Sequence, residues 1–262
     1  MLKSKRDDIE SEAVIFDFDG TLIDSYTQRK FAHLRVCKFL SNYLDKKRTQ
    51  VDQKIILKLI SKIEIEMSDK MEWNRNVWWR EVLKRCVGRN IQVPSTILTD
   101  ASLIYWNTIN ERSFLYPGIK NFLQTLKQKG ALLGLLSDTD GLKGMKSKRI
   151  ADSGLTEFFD AILIAGEDTK EVKPHKQPFI KIAKLLGVPP EKCIFVGDNP
   201  NVDVAGVKEL GMKTIIVGDN SSFFRESVIR PDFFIKRKNI NELIELITST
   251  ISTRKSKQKS DE

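Results

Sequence analysis

Cysteine and histidine are scarce in this sequence, with three cysteines and two histidines among 262 residues. Cys37, Cys86 and Cys193 are odd in number, widely spaced and never in a Cys-x-x-Cys pair, so the simplest expectation is three free thiols in a reducing cytosol. Neither His33 nor His175 neighbours a cysteine or a second histidine, which argues against zinc. No run of about 18 or more apolar residues occurs, so no membrane span is expected. Met1 to Glu12 is mixed in charge and has no apolar segment of the signal-peptide kind, so the expected location is cytoplasmic.

Charge and length, by contrast, are ample. A chain of this size can bury a sizeable core as one large domain or two smaller ones, and 40% hydrophobic with 30% charged residues is a globular composition. The net charge is +9, but the segment from Asp24 to Ser113 holds 17 Lys/Arg and 10 Asp/Glu, so 17 − 10 = +7 falls there. The basic tail Arg254-Lys255-Ser256-Lys257-Gln258-Lys259 ends in Asp261-Glu262 and reads as a solvated end. This uneven distribution argues against nucleic acid as the partner.

The chain is organised around Ala13-Val14-Ile15-Phe16-Asp17-Phe18-Asp19-Gly20-Thr21. Four consecutive apolar residues are too short for an ordinary helix and suit a strand buried on both faces. Two aspartates spaced i, i+2 at its end lie on one side of an extended chain, and interior carboxylates need a cation or a chemical role. Asp and Gly are also common turn residues, so the stretch alone does not distinguish a site from a plain turn.

Downstream, 24–113 changes character. Tyr26 to Leu44, Val51 to Ser68, Glu72 to Val87 and Ser95 to Glu111 show helical spacing, giving a four-helix insert directly after the first strand. Helices and apolar strands then alternate: strands at Ala131 to Leu136, Ala161 to Ala165, Cys193 to Val196, Thr214 to Val217 and near Asp232 to Ile235 are separated by helical stretches. This pattern predicts an α/β fold, a Rossmann-like doubly wound parallel sheet. The core would be 1–23 with 114–262, and 24–113 an inserted helical domain. In such sheets ligands bind beyond the carboxyl ends of the strands, and here those ends carry Asp17/Asp19, Ser137/Asp138 and Asp198, with Lys173 in a nearby loop.

Four motifs in order and spacing resemble the haloacid dehalogenase-like hydrolase superfamily: Asp17-Phe18-Asp19-Gly20-Thr21, Ser137 after an apolar strand, Lys173 in Val172-Lys173-Pro174, and Gly197-Asp198 with Asp203. The resemblance covers all but roughly the first dozen and last ten residues, and the helical insert resembles that family's type-1 cap. Phosphatases of the family carry the second aspartate, here Asp19, which its dehalogenases lack.

The chemistry of each position fits that resemblance. A carboxylate can attack phosphorus and form an aspartyl-phosphate, which makes Asp17 the candidate nucleophile. Asp19 is the candidate acid and base, a role worth typically ~10²–10⁴-fold. Clustered carboxylates repel a phosphoryl dianion, so Mg²⁺ is expected on Asp17, the backbone carbonyl of Asp19, and Asp198, with Asp203 as ligand or orienter. Lys173 would offset the acids and bind a phosphoryl oxygen. Ser137 with the backbone amides of Phe18 and Asp138 would hold the other oxygens. The side chains of Asp138 and Asp140, beside Gly141, read as turn formers.

In the third insert helix, Trp73, Val77, Trp79, Val82, Leu83, Cys86 and Val87 form a wide apolar arc. Arg75 and Arg80 fall inside it and Trp78 outside. A buried arginine needs an anionic partner; both arginines either snorkel or pair with acids on neighbouring helices, or they meet an anionic substrate, for which Arg75 is the candidate contact. The expected activity is a Mg²⁺-dependent phosphatase acting on a small phosphorylated metabolite. The alternatives are a phosphomutase or phosphonate-cleaving enzyme, or a catalytically silent anion- or nucleic-acid-binding relative, which would have no chemical need of Asp17, Asp19, Lys173 and Asp198 together.

Overall fold

Strand β1 (Ala13–Phe16) lies in the middle of a six-stranded parallel sheet, and its four residues are completely buried. In the computed structural model, which describes residues 12–88, 91–219 and 229–251, the sheet also contains β4 (Leu132–Asp138), β5 (Ala161–Ala165), β6 (Cys193–Gly197), β7 (Lys213–Gly218) and β8 (Phe233–Lys236). The strand order is β5-β4-β1-β6-β7-β8, and the two-residue strands β2 (Ile23–Asp24) and β3 (Phe114–Leu115) form a separate pair. The N-terminal stretch before Glu12 and the basic tail lie outside the described residues. Ala13 is in register with Leu132 and Cys193, and Phe16 with Leu135 and Val196. The chain moves outward from β1 to β4 and β5, then returns to the other side of β1 for β6. Strand order therefore reverses beside β1.

Both faces of β1 are apolar because helices cover both. Ala13 and Ile15 pack into a core with Phe179, Ile182 and Leu186 of α7 (Lys176–Leu186). These helical positions fall at i, i+3 and i+7, one stripe of the helix. Gly134 on β4 lets α7 lie close, since a Cβ there would sit 3.0 Å from Leu186 and 3.3 Å from Ile182. On the opposite face the Phe16 ring meets Phe122 of α5 (Ile119–Gln128) edge-on at 5.6 Å. Fully burying one such side chain contributes about 1.5–3 kcal/mol.

The chain divides into two compact units. The first comprises Met1–Ile23, Leu115–Asp138 and Ser153–Glu262 and contains the sheet. The second comprises Asp24–Phe114 and Thr139–Asp152, and holds α1 (Arg29–Lys46), α2 (Gln53–Asp69), α3 (Arg75–Val87), α4 (Ser95–Arg112) and α6 (Met145–Asp152). The four insert helices appear within a few residues of the spans expected for them. Their core includes Leu40, Ile60, Trp78, Trp79, Leu83, Leu98 and Tyr105. The Trp79 indole donates to Ser102 Oγ at 3.0 Å, and Ser102 donates to Asn76 Oδ1 at 2.6 Å, so a buried polar chain joins α3 to α4.

The second unit also takes in Thr139–Asp152, which the expected limits of 24–113 leave in the core. The physical reason is a buried ionic knot. Asp140 is 1% exposed and accepts from Arg149 Nη1 at 3.1 Å on both carboxylate oxygens, with Lys146 Nζ at 2.9 Å. Trp106 of α4 donates its indole N–H to the Asp140 carbonyl at 2.9 Å, and the Arg149 guanidinium lies 4.8 Å from its ring centroid. Asp140 is thus an interior anchor rather than the turn former its place beside Gly141 suggests.

Two expectations for α3 are overturned. Trp78, expected off the apolar arc, is completely buried, and Arg80, expected on it, is exposed. The helix packs against α2 on one side and α4 on the other, so its buried surface is wider than a single arc. The Trp78 indole is satisfied at depth by donating to the Glu72 carbonyl at 2.7 Å.

Candidate active site

The carboxyl ends of β1 and β6 flank the point where strand order reverses, and each delivers an aspartate there. Asp17 follows β1 directly, and its backbone N–H donates to Val196 O at 2.9 Å, which carries the β1–β6 pairing one residue past the strand. The chain then folds back tightly. Leu22 N–H donates to Phe18 O at 3.0 Å and Gly20 N–H to Ile23 O at 2.8 Å, with Gly20 at φ +77°, a conformation costly for residues with a Cβ. Asp19 sits within this turn and is partly exposed, unlike Asp17, which is 6% exposed.

Lys173 joins segments far apart in sequence. Its Nζ, almost fully buried, donates to Asp17 Oδ1 at 2.8 Å and to Asp203 Oδ1 at 2.7 Å. The loop that carries it is held from β4, because Lys173 N–H donates to the Asp138 carboxylate at 3.0 Å, and its bond to Pro174 is cis. The Asp138 side chain therefore orients the lysine loop, a role not anticipated for it. Ser137, 2% exposed, is the next-to-last residue of the same strand.

Asp203 belongs to the short helix α8 (Pro200–Asp203). Its Oδ2 accepts the backbone N–H groups of Asp198 at 3.1 Å and Asn199 at 3.0 Å, while Oδ1 takes Lys173. Asn199 caps that helix by accepting from Asn201 N–H at 3.1 Å. Two glycines make room for this packing. A Cβ at Gly197 would lie 2.3 Å from Asp203 Oδ2, and one at Gly206, in α9 (Ala205–Lys208), would lie 1.8 Å from the Pro174 carbonyl. Gly206 was not legible as a site residue, since its constraint comes from a loop over thirty residues earlier.

The result is a compact group of charges. Carboxylate oxygens of Asp17, Asp198 and Asp203 lie within 4.8 Å of one another. Asp198 Oδ1 is buried and has no hydrogen-bond partner among the described residues. Burial pushes the Asp17 carboxyl up to about 7, with Lys173 opposing the rise and Asp203 adding to it. Burial, then the neighbouring Asp203 and Asp17 charges, raise Asp198 well above the usual carboxylate range. For Lys173 burial acts to lower the ammonium, but Asp17, Asp203 and Asp138 outweigh it and hold it well above its ordinary value. Three carboxylates against one ammonium leave the group electron-rich, and a buried carboxylate oxygen without a donor is what a hard divalent cation would take. The donor set fits such an ion.

The scan of family models matches residues 12–211 to the haloacid dehalogenase-like hydrolases. The chain belongs to that family. The match spans Asp17, Lys173, Asp198 and Asp203. Among curated relatives it is 30% identical over 207 residues to N-acylneuraminate-9-phosphatase of Mus musculus, covering 78% of this chain and 81% of the relative. It is 26% identical over 220 residues to phosphoglycolate phosphatase of Escherichia coli O157:H7, covering 81% and 82%. A solved HAD phosphatase from Thermococcus onnurineus shares the fold with a TM-score of 0.65 at 21% identity, covering 89% of this chain and 97% of that one.

Arg75 belongs to the helical unit. It is 4% exposed, its guanidinium sits 3.4 Å from the Trp78 ring centroid and about 5 Å from those of Tyr105 and Trp106, and burial lowers its affinity for its proton. Neither a carboxylate within ion-pair distance nor a hydrogen-bond partner for Nε is found among the described residues. The neighbouring acid is Glu64 of α2, whose charge favours the Arg75 cation but which pairs with Arg29 and His33; Arg75 Nη1 donates instead to the Trp73 carbonyl at 3.4 Å, and aromatic faces surround the guanidinium.

Proposed function

We propose that this hydrolase is a phosphatase of small phosphorylated metabolites that works through an aspartyl-phosphate on Asp17 and uses Mg²⁺. The observation that carries the reading is the shared Lys173: one buried ammonium bridges Asp17 and Asp203, and Asp198 stands alongside with an oxygen left open. A purely structural ion pair has no need of the additional carboxylates, whose mutual repulsion is costly.

In the first step an Asp17 oxygen attacks phosphorus, the bond from phosphorus to the ester oxygen breaks, and Asp19 gives its proton to the departing oxygen. In the second, water attacks the same phosphorus, Asp19 takes the water's proton, and the bond to Asp17 breaks, which returns the carboxylate and releases inorganic phosphate. Ser137 and the backbone N–H groups of Phe18 and Asp138 hold the equatorial oxygens, and Lys173 supplies a fixed positive charge. Asp17, the Asp19 carbonyl and Asp198 would hold Mg²⁺, with Asp203 as a further ligand or as their orienter, and the ion when bound offsets the charge of the phosphoryl group. Asp203 also keeps Lys173 and the 198–199 backbone in place.

The helical unit would act as a cap that selects the substrate, with Arg75 as the residue that favours a second anionic group. The names of both curated relatives specify phosphorylated carboxylates, which is the chemistry a buried arginine without a carboxylate partner suits. A panel of phosphorylated metabolites assayed with Mg²⁺, with Asp17→Asn as the blank, tests the reaction. Metal-dependent phosphate release that Asp17→Asn abolishes is expected, and its absence across the panel refutes the proposal. Arg75→Ala should lower kcat/KM at least roughly tenfold for a phosphorylated carboxylate and less for a phosphate ester without one. Equal effects on both would remove the role given to Arg75.

A further inference from the structure

The sheet-bearing unit contains a cavity of about 340 Å³ on the face of the sheet that carries Phe16 and Phe122. Its volume falls within the ~300–1,000 Å³ range of small-molecule sites. All of its lining residues belong to this one unit. None is among the groups assigned to phosphoryl transfer. The walls are predominantly apolar, with Phe16, Phe122, Val217, Ile235 and Leu243 among them.

Polar groups in this cavity are few and under-satisfied. Thr21 is 4% exposed, and its Oγ1 has no hydrogen-bond partner among the described residues. Arg237 lies over the Tyr116 ring, 4.0 Å from guanidinium carbon to ring centroid. Among the described residues its Nε and Nη1 are buried without hydrogen bonds, and its one ion pair is a 3.4 Å approach of Nε to Asp219, a carboxylate that is 79% exposed. Lys236 and Lys238 flank it, so three cations and one acid line the cavity, and beyond the lining the Asp198 charge also reaches Arg237. Buried donors left open are costly, and a ligand oxygen would satisfy them.

We propose that this cavity binds a small amphipathic monoanion, an apolar or aromatic body carrying one carboxylate or sulfonate, with the anionic end on Arg237 and the body against Phe122 and Leu243. The occupant follows from charge and shape together. An uncharged apolar molecule would leave the guanidinium donors open, and a phosphorylated metabolite would place a strongly hydrated dianion against an apolar wall.

Two fluorescent probes of equal apolar bulk separate these contributions in titrations of the full chain without substrate: 8-anilinonaphthalene-1-sulfonate and the uncharged N-phenyl-1-naphthylamine. Both should bind saturably at one site, the sulfonate roughly fivefold or more tightly, the scale of a partly buried charge-assisted pair. Arg237→Met should erase that preference while retaining the neutral probe, and Leu243→Trp, which fills the cavity, should remove both. If Leu243→Trp does not fold by circular dichroism, Ile240→Trp at the same wall serves instead. The proposal is overturned if neither probe saturates, if the native protein binds both equally, if Arg237→Met keeps the preference, or if the tryptophan variant retains both sites. Since none of these readings uses phosphatase activity, their outcome is independent of the proposed function.

Discussion

Replacing Asp17 with asparagine should stabilise the metal-free protein at alkaline pH while abolishing activity. In the folded chain the Asp17 carboxyl is pushed up to about 7 from an ordinary value of 3.8, a difference of roughly 3 that corresponds to about 4 kcal/mol. The sign follows from proton binding. Between those two values the folded state holds the proton and the unfolded state does not, so stability falls as pH rises through the window, and above about 7 the whole cost is present. Asparagine fills nearly the same volume without a charge. It gives up the ionic part of the 2.8 Å contact with Lys173, which keeps Asp203 at 2.7 Å, so a net gain of about 2–4 kcal/mol is expected. At ~2–4 °C per kcal/mol for a protein of this size, Asp17→Asn should melt at least about 4 °C above the native protein at pH 8.5 with a chelator present. The gap should shrink steadily below pH 7 and nearly vanish at pH 4. Millimolar Mg²⁺ should raise the melting temperature of the native protein more than that of the variant. A variant that melts lower at pH 8.5, or a gap that does not change with pH, would refute the reasoning.

Two further expectations concern residues that position the site. Asp140→Asn removes the carboxylate shared by Lys146 and Arg149, and loss of such a buried partner costs about 3–5 kcal/mol; a loss below about 1 kcal/mol in urea unfolding would contradict the interior role of the knot. Gly206→Ala puts a methyl where the Pro174 carbonyl lies 1.8 Å away, so the Lys173-Pro174 segment has to shift; kcat should fall at least roughly tenfold, and unchanged turnover would show that the loop can move without disturbing Lys173.

The sheet and its motifs were legible because their signals are local. A short apolar run followed by Asp-x-Asp-Gly needs no distant information, and the alternation of helices with apolar strands yields the parallel sheet. The convergence of Asp17, Lys173 and Asp198 could be inferred because all three follow the carboxyl ends of strands or lie in loops beside them. What escaped depended on neighbours far along the chain. Trp78 and Arg80 were assigned by a single-arc rule that fails for a helix packed on two sides. Asp140 looked like a turn residue because its partners, Lys146 and Arg149, lie on a helix whose burial only α4 reveals. The Asp138 carboxylate proved to hold the Lys173 backbone, a contact across thirty-five residues that no spacing rule anticipates.

Membership of Thr139–Asp152 in the helical unit bears on any attempt to build chimaeras from this protein. The polypeptide passes between the two units four times rather than twice, so the helical unit is not a cassette that two cuts can lift out. A transplant of 24–113 alone would leave Asp140, Lys146 and Arg149 behind in the donor and carry Trp106 away without the carbonyl it binds. Recombination designed around all four junctions, with α6 exchanged together with α1 to α4, keeps those partners in one piece.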